Sequence, residues 1–104
     1  MHISFDKAME SLGATSKPFA ELFSHGTLSL EIYKPDTLDF QQPHDRDEVY
    51  IIVSGMGKFS NGGTIVDFKA HDFLFVPAGV PHRFFDFTPD FVTWVVFYGP
   101  PGGE

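Results

Sequence analysis

Two short stretches of the chain place imidazole and carboxylate side chains beside segments with the composition of β-strands. His44 and Glu48 lie in residues 42–48, and His82 closes residues 77–82. Two imidazoles and one carboxylate form a set that can hold a divalent metal ion. The spacing of His44 and Glu48 also suits one face of a helix. However, the β-branched and aromatic run after Glu48 predicts a strand, with His44 in the loop that precedes it.

These two stretches resemble the paired sequence motifs of the cupin family. The positions that match the first motif are His44, Glu48 and Gly55, and those that match the second are Pro77, Gly79 and His82. The resemblance extends over nearly the whole chain. It implies an all-β fold, a cupin-type jelly-roll β-barrel, to which the sequence adds one short N-terminal helix.

The resemblance also implies where the site lies. In the cupin fold the loop before one strand and the turn after another meet at one mouth of the barrel, which would bring His44, Glu48 and His82 together as metal ligands. The motif positions that depart from the family pattern are Asp36, Gln42, His71 and Asp86. Gln42 has the clearest consequence, because it stands where the family has a ligating histidine. We expect Gln42 to offer a fourth, weaker oxygen ligand to an ion of iron, manganese, nickel or zinc.

Tyr50 is the candidate catalytic residue. Tyr50 and Ile52 share the face of Glu48 if the strand is regular, because side chains alternate along a strand. Both would then line a pocket below the metal, and Tyr50 could donate a proton or a hydrogen bond to a substrate. The alternative is a core tyrosine whose hydroxyl group has found a partner.

Composition limits the class of protein. The 104 residues show no break in composition, which predicts one domain with a helical arm (1–17), a β-barrel (18–99) and a loose tail (100–104). The absence of cysteine excludes disulfides and thiolate metal sites. A net charge of −7 disfavours nucleic acid and anionic membranes as partners. Without a visible signal peptide or membrane span, we expect a soluble, cytoplasmic protein.

The pattern along the chain predicts one helix followed by about eight short strands. Ser4 is a suitable N-cap for a helix over residues 4–12, with Phe5, Met9 and Leu12 on one face. Residues 61–63, Asn-Gly-Gly, give the strongest hairpin signal. We also expect a homodimer, because an open β domain leaves edge strands unpaired and residues 19–23 and 91–98 hold more apolar side chains than one face can bury.

Three functions remain open from the sequence. The first is a metal-binding cupin that acts on a small organic molecule in the barrel cavity, by dioxygenation, isomerisation or decarboxylation. The second is a non-catalytic cupin that binds a sugar or a carboxylate in the same cavity. The third is a metal-free protein whose fold supports dimerisation. The fold hosts many chemistries, so the motifs alone do not choose between them.

Overall fold

The computed structural model describes residues 1–39 and 42–104, which form one helix and eight strands. The elements are α1 (Phe5–Gly13), β1 (Phe19–His25), β2 (Leu28–Tyr33), β3 (Asp47–Ser54), β4 (Met56–Asn61), β5 (Thr64–Lys69), β6 (Phe73–Val76), β7 (His82–Phe85) and β8 (Val92–Tyr98). They build a five-stranded sheet in the order β1-β2-β8-β3-β6 and a three-stranded sheet in the order β5-β4-β7. The strand pairs are antiparallel, and the predicted all-β fold class is confirmed.

Local signals in the sequence place the helix and the sharpest hairpin. The Ser4 hydroxyl accepts a hydrogen bond from the backbone N–H of Lys7 at 3.1 Å, as an N-cap does. Gly62 and Gly63 have φ values of 59° and 90°, which a two-residue turn of type I′ between β4 and β5 requires. No helix in the described part of the chain has the length and apolarity needed to cross a membrane.

Aromatic side chains fill the space between the two sheets. Tyr50, Phe59 and Phe84 are at most 1% exposed. The Phe59 and Phe84 rings lie 4.5 Å apart, and the Tyr50 ring stands edge-on to Phe84 at 4.9 Å. Tyr50 and Ile52 thus face the space between the sheets, as the alternation along β3 predicted, and both are packed in the core. That they line a pocket below a metal ion stays a prediction.

The end of the chain is bound to the loop before β3. The backbone N–H of Gly102 donates to the Asp45 carbonyl at 2.6 Å, and the N–H of Glu104 donates to Asp47 Oδ2 at 3.1 Å. Gly102 and Gly103 both have a φ of 90°, a conformation that glycine adopts without strain and that turns the tail towards Asp47. These contacts differ from the loose tail that its Pro-Gly composition led us to expect.

Candidate metal centre

The candidate site joins the two sheets at one end of the barrel. Glu48 lies at the start of β3, on the face that points between the sheets, and His44 lies in the loop before this strand. His82 is the first residue of β7, in the other sheet. Glu48 Oε1 is 3.2 Å from His44 Nδ1 and 3.1 Å from His82 Nε2. Potential ligand atoms of the three residues lie within 4.8 Å of one another.

The three side chains differ in their access to solvent. The side chains of Glu48 and His82 are 1% and 0% exposed, whereas that of His44 is 34% exposed. A small molecule can therefore approach the group from the side of His44. The T-shaped contact between the His44 and Phe97 rings, with centroids 4.8 Å apart, holds the imidazole at this opening.

The two imidazoles keep the Glu48 carboxylate charged. Burial alone would raise the pKa of Glu48, but hydrogen bonds and charge from His44 and His82 outweigh it and lower the pKa to about 2. For His82, burial lowers the pKa, while the Glu48 hydrogen bond and the Val80 carbonyl raise it, and the net direction is upward. The carboxylate is thus ionised at neutral pH, as a metal ligand must be.

A backbone carbonyl orients the His82 ring. His82 Nδ1 lies 2.9 Å from the Val80 carbonyl oxygen. That oxygen can only accept a hydrogen bond, so Nδ1 carries the proton, and in the neutral ring Nε2 keeps its lone pair towards Glu48. The turn over residues 77–81 supplies this carbonyl and is tied to the other motif, since Gly79 N–H donates to the His44 carbonyl at 2.6 Å. Gly79 has a φ of 79°, where a side chain would be strained.

One oxygen of the carboxylate has no hydrogen-bond partner among the residues that the structure describes. Glu48 Oε2 is buried and accepts no hydrogen bond from the described residues. An ionised oxygen in this state costs more free energy than a neutral one, and a cation would remove that cost. The Oε1–nitrogen distances of 3.1 and 3.2 Å fit a shared ion, because ligands ~2.1 Å from one metal lie ~3.0–3.4 Å apart at angles of ~90–110°. The residues present therefore fit a divalent metal.

The other two predicted site residues, Tyr50 and Gln42, lie at opposite extremes of burial: Tyr50 is in the core and Gln42 is exposed. The Tyr50 hydroxyl lies 3.1 Å from His82 Nε2, so the ring belongs to the core while its polar end reaches the site. Gln42 is exposed, two residues before His44 in the same loop. Its role as a fourth ligand stays a prediction.

Asp47 was not singled out in the sequence analysis. Asp47 is only 6% exposed. Its Oδ1 accepts the backbone N–H of Ala78 at 2.9 Å, and its Oδ2 accepts that of Glu104. Asp47 therefore connects the start of β3 to the turn before His82. The alternation of strand residues could have indicated that Asp47 and Glu48 face opposite sides.

An acidic depression of about 270 Å³ adjoins His44. Its lining consists of Glu21, Ser29, Glu31, His44, Asp45, Arg46 and Phe97. Glu21 and Glu31 stand directly opposite each other on β1 and β2. Burial raises the pKa of Glu31, and the charges of Glu21 and Glu48 raise it further against the effect of His44. Glu31 therefore interacts electrostatically with two residues of the candidate metal centre, His44 and Glu48.

The guanidinium of Arg46 is held at the edge of this depression by hydrogen bonds to neutral oxygens. Nη2 donates to Ser29 Oγ at 3.1 Å, and Nη1 donates to the Thr27 carbonyl. The guanidinium carbon also lies 5.8 Å from the centre of the Phe97 ring. Arg46 therefore supports the rim of the depression.

Comparison with known proteins agrees with the geometry of the barrel and of the paired loops. A family model described as "Cupin domain" matches residues 29–98. The chain belongs to the cupin family. This cupin is 31% identical over 97 residues to an uncharacterized protein of Streptomyces coelicolor, a match that covers 91% of this chain and 92% of the relative.

Two solved structures extend the comparison at the level of the fold. KdgF from Halomonas sp. superposes with a TM-score of 0.70 at 15% identity, covering 83% of this chain and 84% of the other. The DMSP lyase DddQ from Ruegeria pomeroyi superposes with a TM-score of 0.66 at 24% identity, covering 79% of this chain and 47% of the lyase. At these identities the two likenesses show the shared fold alone.

Proposed function

We propose that this cupin binds one divalent transition-metal ion through His44, Glu48 and His82 and uses it to hold a small organic molecule with an oxygen donor. The observation that carries the proposal is the buried Glu48 Oε2, which has no partner among residues 1–39 and 42–104, beside two imidazole nitrogens. An ion pair with the histidines uses only Oε1, whereas a cation held by both carboxylate oxygens would also satisfy Oε2, which has no partner among the described residues. A metal-free structural cluster is therefore the weaker interpretation.

The chain supplies positions and charge for this chemistry. When bound, the ion supplies a Lewis acid or an O₂ site with coordination positions left open, as two-histidine, one-carboxylate centres do. The Val80 carbonyl fixes the tautomer of His82, and Glu48 offsets the charge of the cation. The Tyr50 hydroxyl, 3.1 Å from His82 Nε2, is placed to donate a hydrogen bond or a proton to a molecule held at the same centre.

The depression beside His44 indicates the charge of the ligand. It carries three carboxylates, those of Glu21, Glu31 and Asp45, against the one guanidinium of Arg46. A carboxylate ligand would be repelled there, whereas a neutral or cationic molecule would not. The volume of about 270 Å³ limits the ligand to a small molecule. The structural likeness to a DMSP lyase is compatible with small-molecule chemistry on this fold.

A non-catalytic binding function is the second candidate. It is favoured by the complete burial of Tyr50, which leaves no exposed surface on the candidate proton donor. In this case the same three ligands and the same depression would hold a small molecule without converting it. Both candidate functions require the metal ion, but only the first converts the bound molecule into a product.

Metal binding is tested first, by elemental analysis of purified protein and by calorimetric titration of the metal-stripped protein with Mn²⁺, Ni²⁺ and Zn²⁺. We expect one ion per chain and at least a hundredfold loss of affinity in His82→Ala. His2→Ala removes an exposed histidine outside the barrel and is the matched control. Wild-type protein that binds none of the three ions, or His82→Ala with wild-type affinity, would contradict the proposal.

A further inference from the structure

Residues 100–104, which we call the tail, lie against both loops that carry candidate metal ligands. In the first loop, the Asp45 carbonyl accepts the backbone N–H of Gly102 at 2.6 Å, one residue after His44. This contact joins two backbone groups, so it does not depend on the charge of either residue. The tail is therefore anchored directly beside one of the ligands.

The tail also reaches the turn before the second histidine, through Asp47. The N–H of Glu104 donates to Asp47 Oδ2 at 3.1 Å, while Asp47 Oδ1 accepts the N–H of Ala78 at 2.9 Å. The Val80 carbonyl, which orients the His82 ring, lies two residues after Ala78 in the same turn. The Asp47 carboxylate is therefore held between the tail and the turn.

Gly103 packs on this junction and leaves no room for a side chain there. A β-carbon at this position would lie 2.9 Å from Asp47 Oδ1 and 3.2 Å from the Ala78 β-carbon. Non-bonded carbon atoms normally meet at ~3.5–4.0 Å. The side chain of Asp47 is almost completely buried as a result of this packing and of the turn. The tail thus covers the hydrogen bond that holds the start of the turn.

We propose that the tail is a positioning element for the candidate metal centre and that it acts through Gly103 on Asp47. The tail holds the Asp47 carboxylate against Ala78 and thereby keeps the His82 ring in the orientation that suits a shared ion. Its consequence for the ion rests on the proposed function, because only a bound ion can be released when the turn moves. The tail then slows the departure of that ion.

Other contacts keep the turn folded when the tail is disturbed. The N–H of Gly62 donates to the Pro81 carbonyl at 2.9 Å, and the N–H of Gly79 donates into the loop before β3 at 2.6 Å. These bonds support the middle and the end of the turn, whereas Asp47 supports its start at Ala78. A change in the tail should therefore shift the ligand without unfolding the turn.

The test compares Gly103→Ala with Gly102→Ala in the full chain. Both glycines have a φ of 90°, so alanine strains the backbone similarly at either position. A β-carbon at residue 102 meets no atom within 4 Å, whereas one at residue 103 meets Asp47 and Ala78. Gly102→Ala is therefore the matched control, because it strains the tail without pushing on Asp47.

The first measurement is the hydrogen exchange of the Ala78 N–H in metal-free protein, followed by NMR. This exchange should be about tenfold faster in Gly103→Ala than in wild type and nearly unchanged in Gly102→Ala. The reference is the N–H of Thr88, which donates to the Met56 carbonyl at the far end of the barrel. A general loss of stability would accelerate both amides together, whereas a shift of the turn accelerates Ala78 alone.

The second measurement is the rate at which Ni²⁺ passes from the loaded protein to excess EDTA. Gly103→Ala should release the ion about tenfold faster than wild type, because groups that orient metal ligands change affinity by about 10–100-fold. Gly102→Ala should release it at nearly the wild-type rate. If Gly103→Ala does not fold, Glu104→Pro takes its place, since proline removes the N–H that Asp47 accepts.

Three results would overturn the proposal: unchanged Ala78 exchange in Gly103→Ala, equal effects in the two glycine variants, or faster exchange without faster release of the ion. A wild-type protein that binds no metal ion would instead contradict the proposed function. In that case the Ala78 exchange alone decides whether the tail positions the turn.

Discussion

His82 Nε2 lies 3.1 Å from Glu48 Oε1, although the two residues belong to different sheets of the barrel. Glu48 comes from β3 of the five-stranded sheet, and His82 begins β7 of the three-stranded sheet. A metal bound here would connect the sheets directly. The chemistry of the site and the stability of the barrel are therefore coupled through the same pair of side chains.

The metal-free protein should be most stable at mildly acidic pH. The pKa of Glu48 is lowered from 4.5 to about 2, so its stabilising effect is present above pH 4.5 and is lost as the pH falls towards 2. The pKa of His82 is raised above 6.5, so its effect is present below pH 6.5 and is lost as the pH rises through the folded-state pKa. We expect the highest Tm of the chelator-treated protein between these limits, measured by calorimetry from pH 3 to 9.

Glu48→Gln serves as the control for that pH profile. It keeps the size of the side chain but removes the charge on which both pKa shifts depend. The Tm of the variant should vary much less over the same range. An unchanged profile would mean that other groups cause the pH dependence.

Asp47→Asn should loosen the turn that carries His82. Both carboxylate oxygens of Asp47 accept backbone N–H groups, from Ala78 and Glu104. An asparagine side chain offers one oxygen and one NH₂ group, so one of these hydrogen bonds is lost, at a cost of about 1–2 kcal/mol in unfolding free energy. Metal affinity should fall about tenfold, as it does when groups that orient metal ligands are removed.

Asp45→Asn is the neighbouring control for Asp47→Asn. The Asp45 side chain is exposed, so this substitution removes the same charge two residues away without removing a buried acceptor. Thermal melts and metal titrations of the two variants are compared directly. Equal effects in both would attribute the loss to charge rather than to the position of the turn.

Gln42→His should tighten the binding of Ni²⁺ or Zn²⁺, because imidazole is a better ligand for these ions than a neutral amide oxygen. The prediction rests on the cupin motif, in which position 42 holds a histidine, and on the exposure of this loop, which leaves room for the new ring. The new histidine should also occupy a coordination position that a substrate would use, and it should therefore reduce any enzymatic activity. Calorimetric titration that gives equal or weaker affinity would place residue 42 outside the coordination sphere.

Glu31→Gln should change which ligands the metal-loaded protein accepts. Removing one negative charge from the depression should strengthen the binding of acetate severalfold while leaving glycerol nearly unaffected, because only the anion is repelled by Glu31. Both affinities are measured by NMR titration. Asp67→Asn removes an equal charge from an exposed site on β5 and should have little effect on either ligand. A similar gain for acetate in both variants would contradict a local role for Glu31.

The sequence predicts those features that local chemistry determines. The N-cap at Ser4, the Gly62-Gly63 hairpin and the start of β3 at the motif of Glu48 follow from residues close together in the chain. The approach of His82 to His44 and Glu48 required a resemblance to a known fold, because the pairing of the sheets is not local. The role of Gln42 as a fourth metal ligand remains a prediction, because the exposure of its side chain neither supports nor contradicts that role.

Other features depend on how the strands pair and pack against one another. The sequence pattern of one strand does not contain that information. Tyr50 follows the alternation that places it beside Glu48, but the volume below it depends on Phe59 and Phe84 from two other strands. The opposition of Glu21 and Glu31 depends on a strand register that shifts at a bulge directly after Glu21. These relationships emerge only when the strands are assembled.

The location of the candidate metal centre between the sheets also bears on the kinetics of folding. Tyr50 and His82 are 32 residues apart in the chain, and such distant segments meet only after a long loop has closed. A centre completed after the main folding barrier would leave the refolding rate almost unchanged. An ion held there would instead slow the separation of the two sheets, so that the lifetime of the native state depends on how slowly the ion escapes.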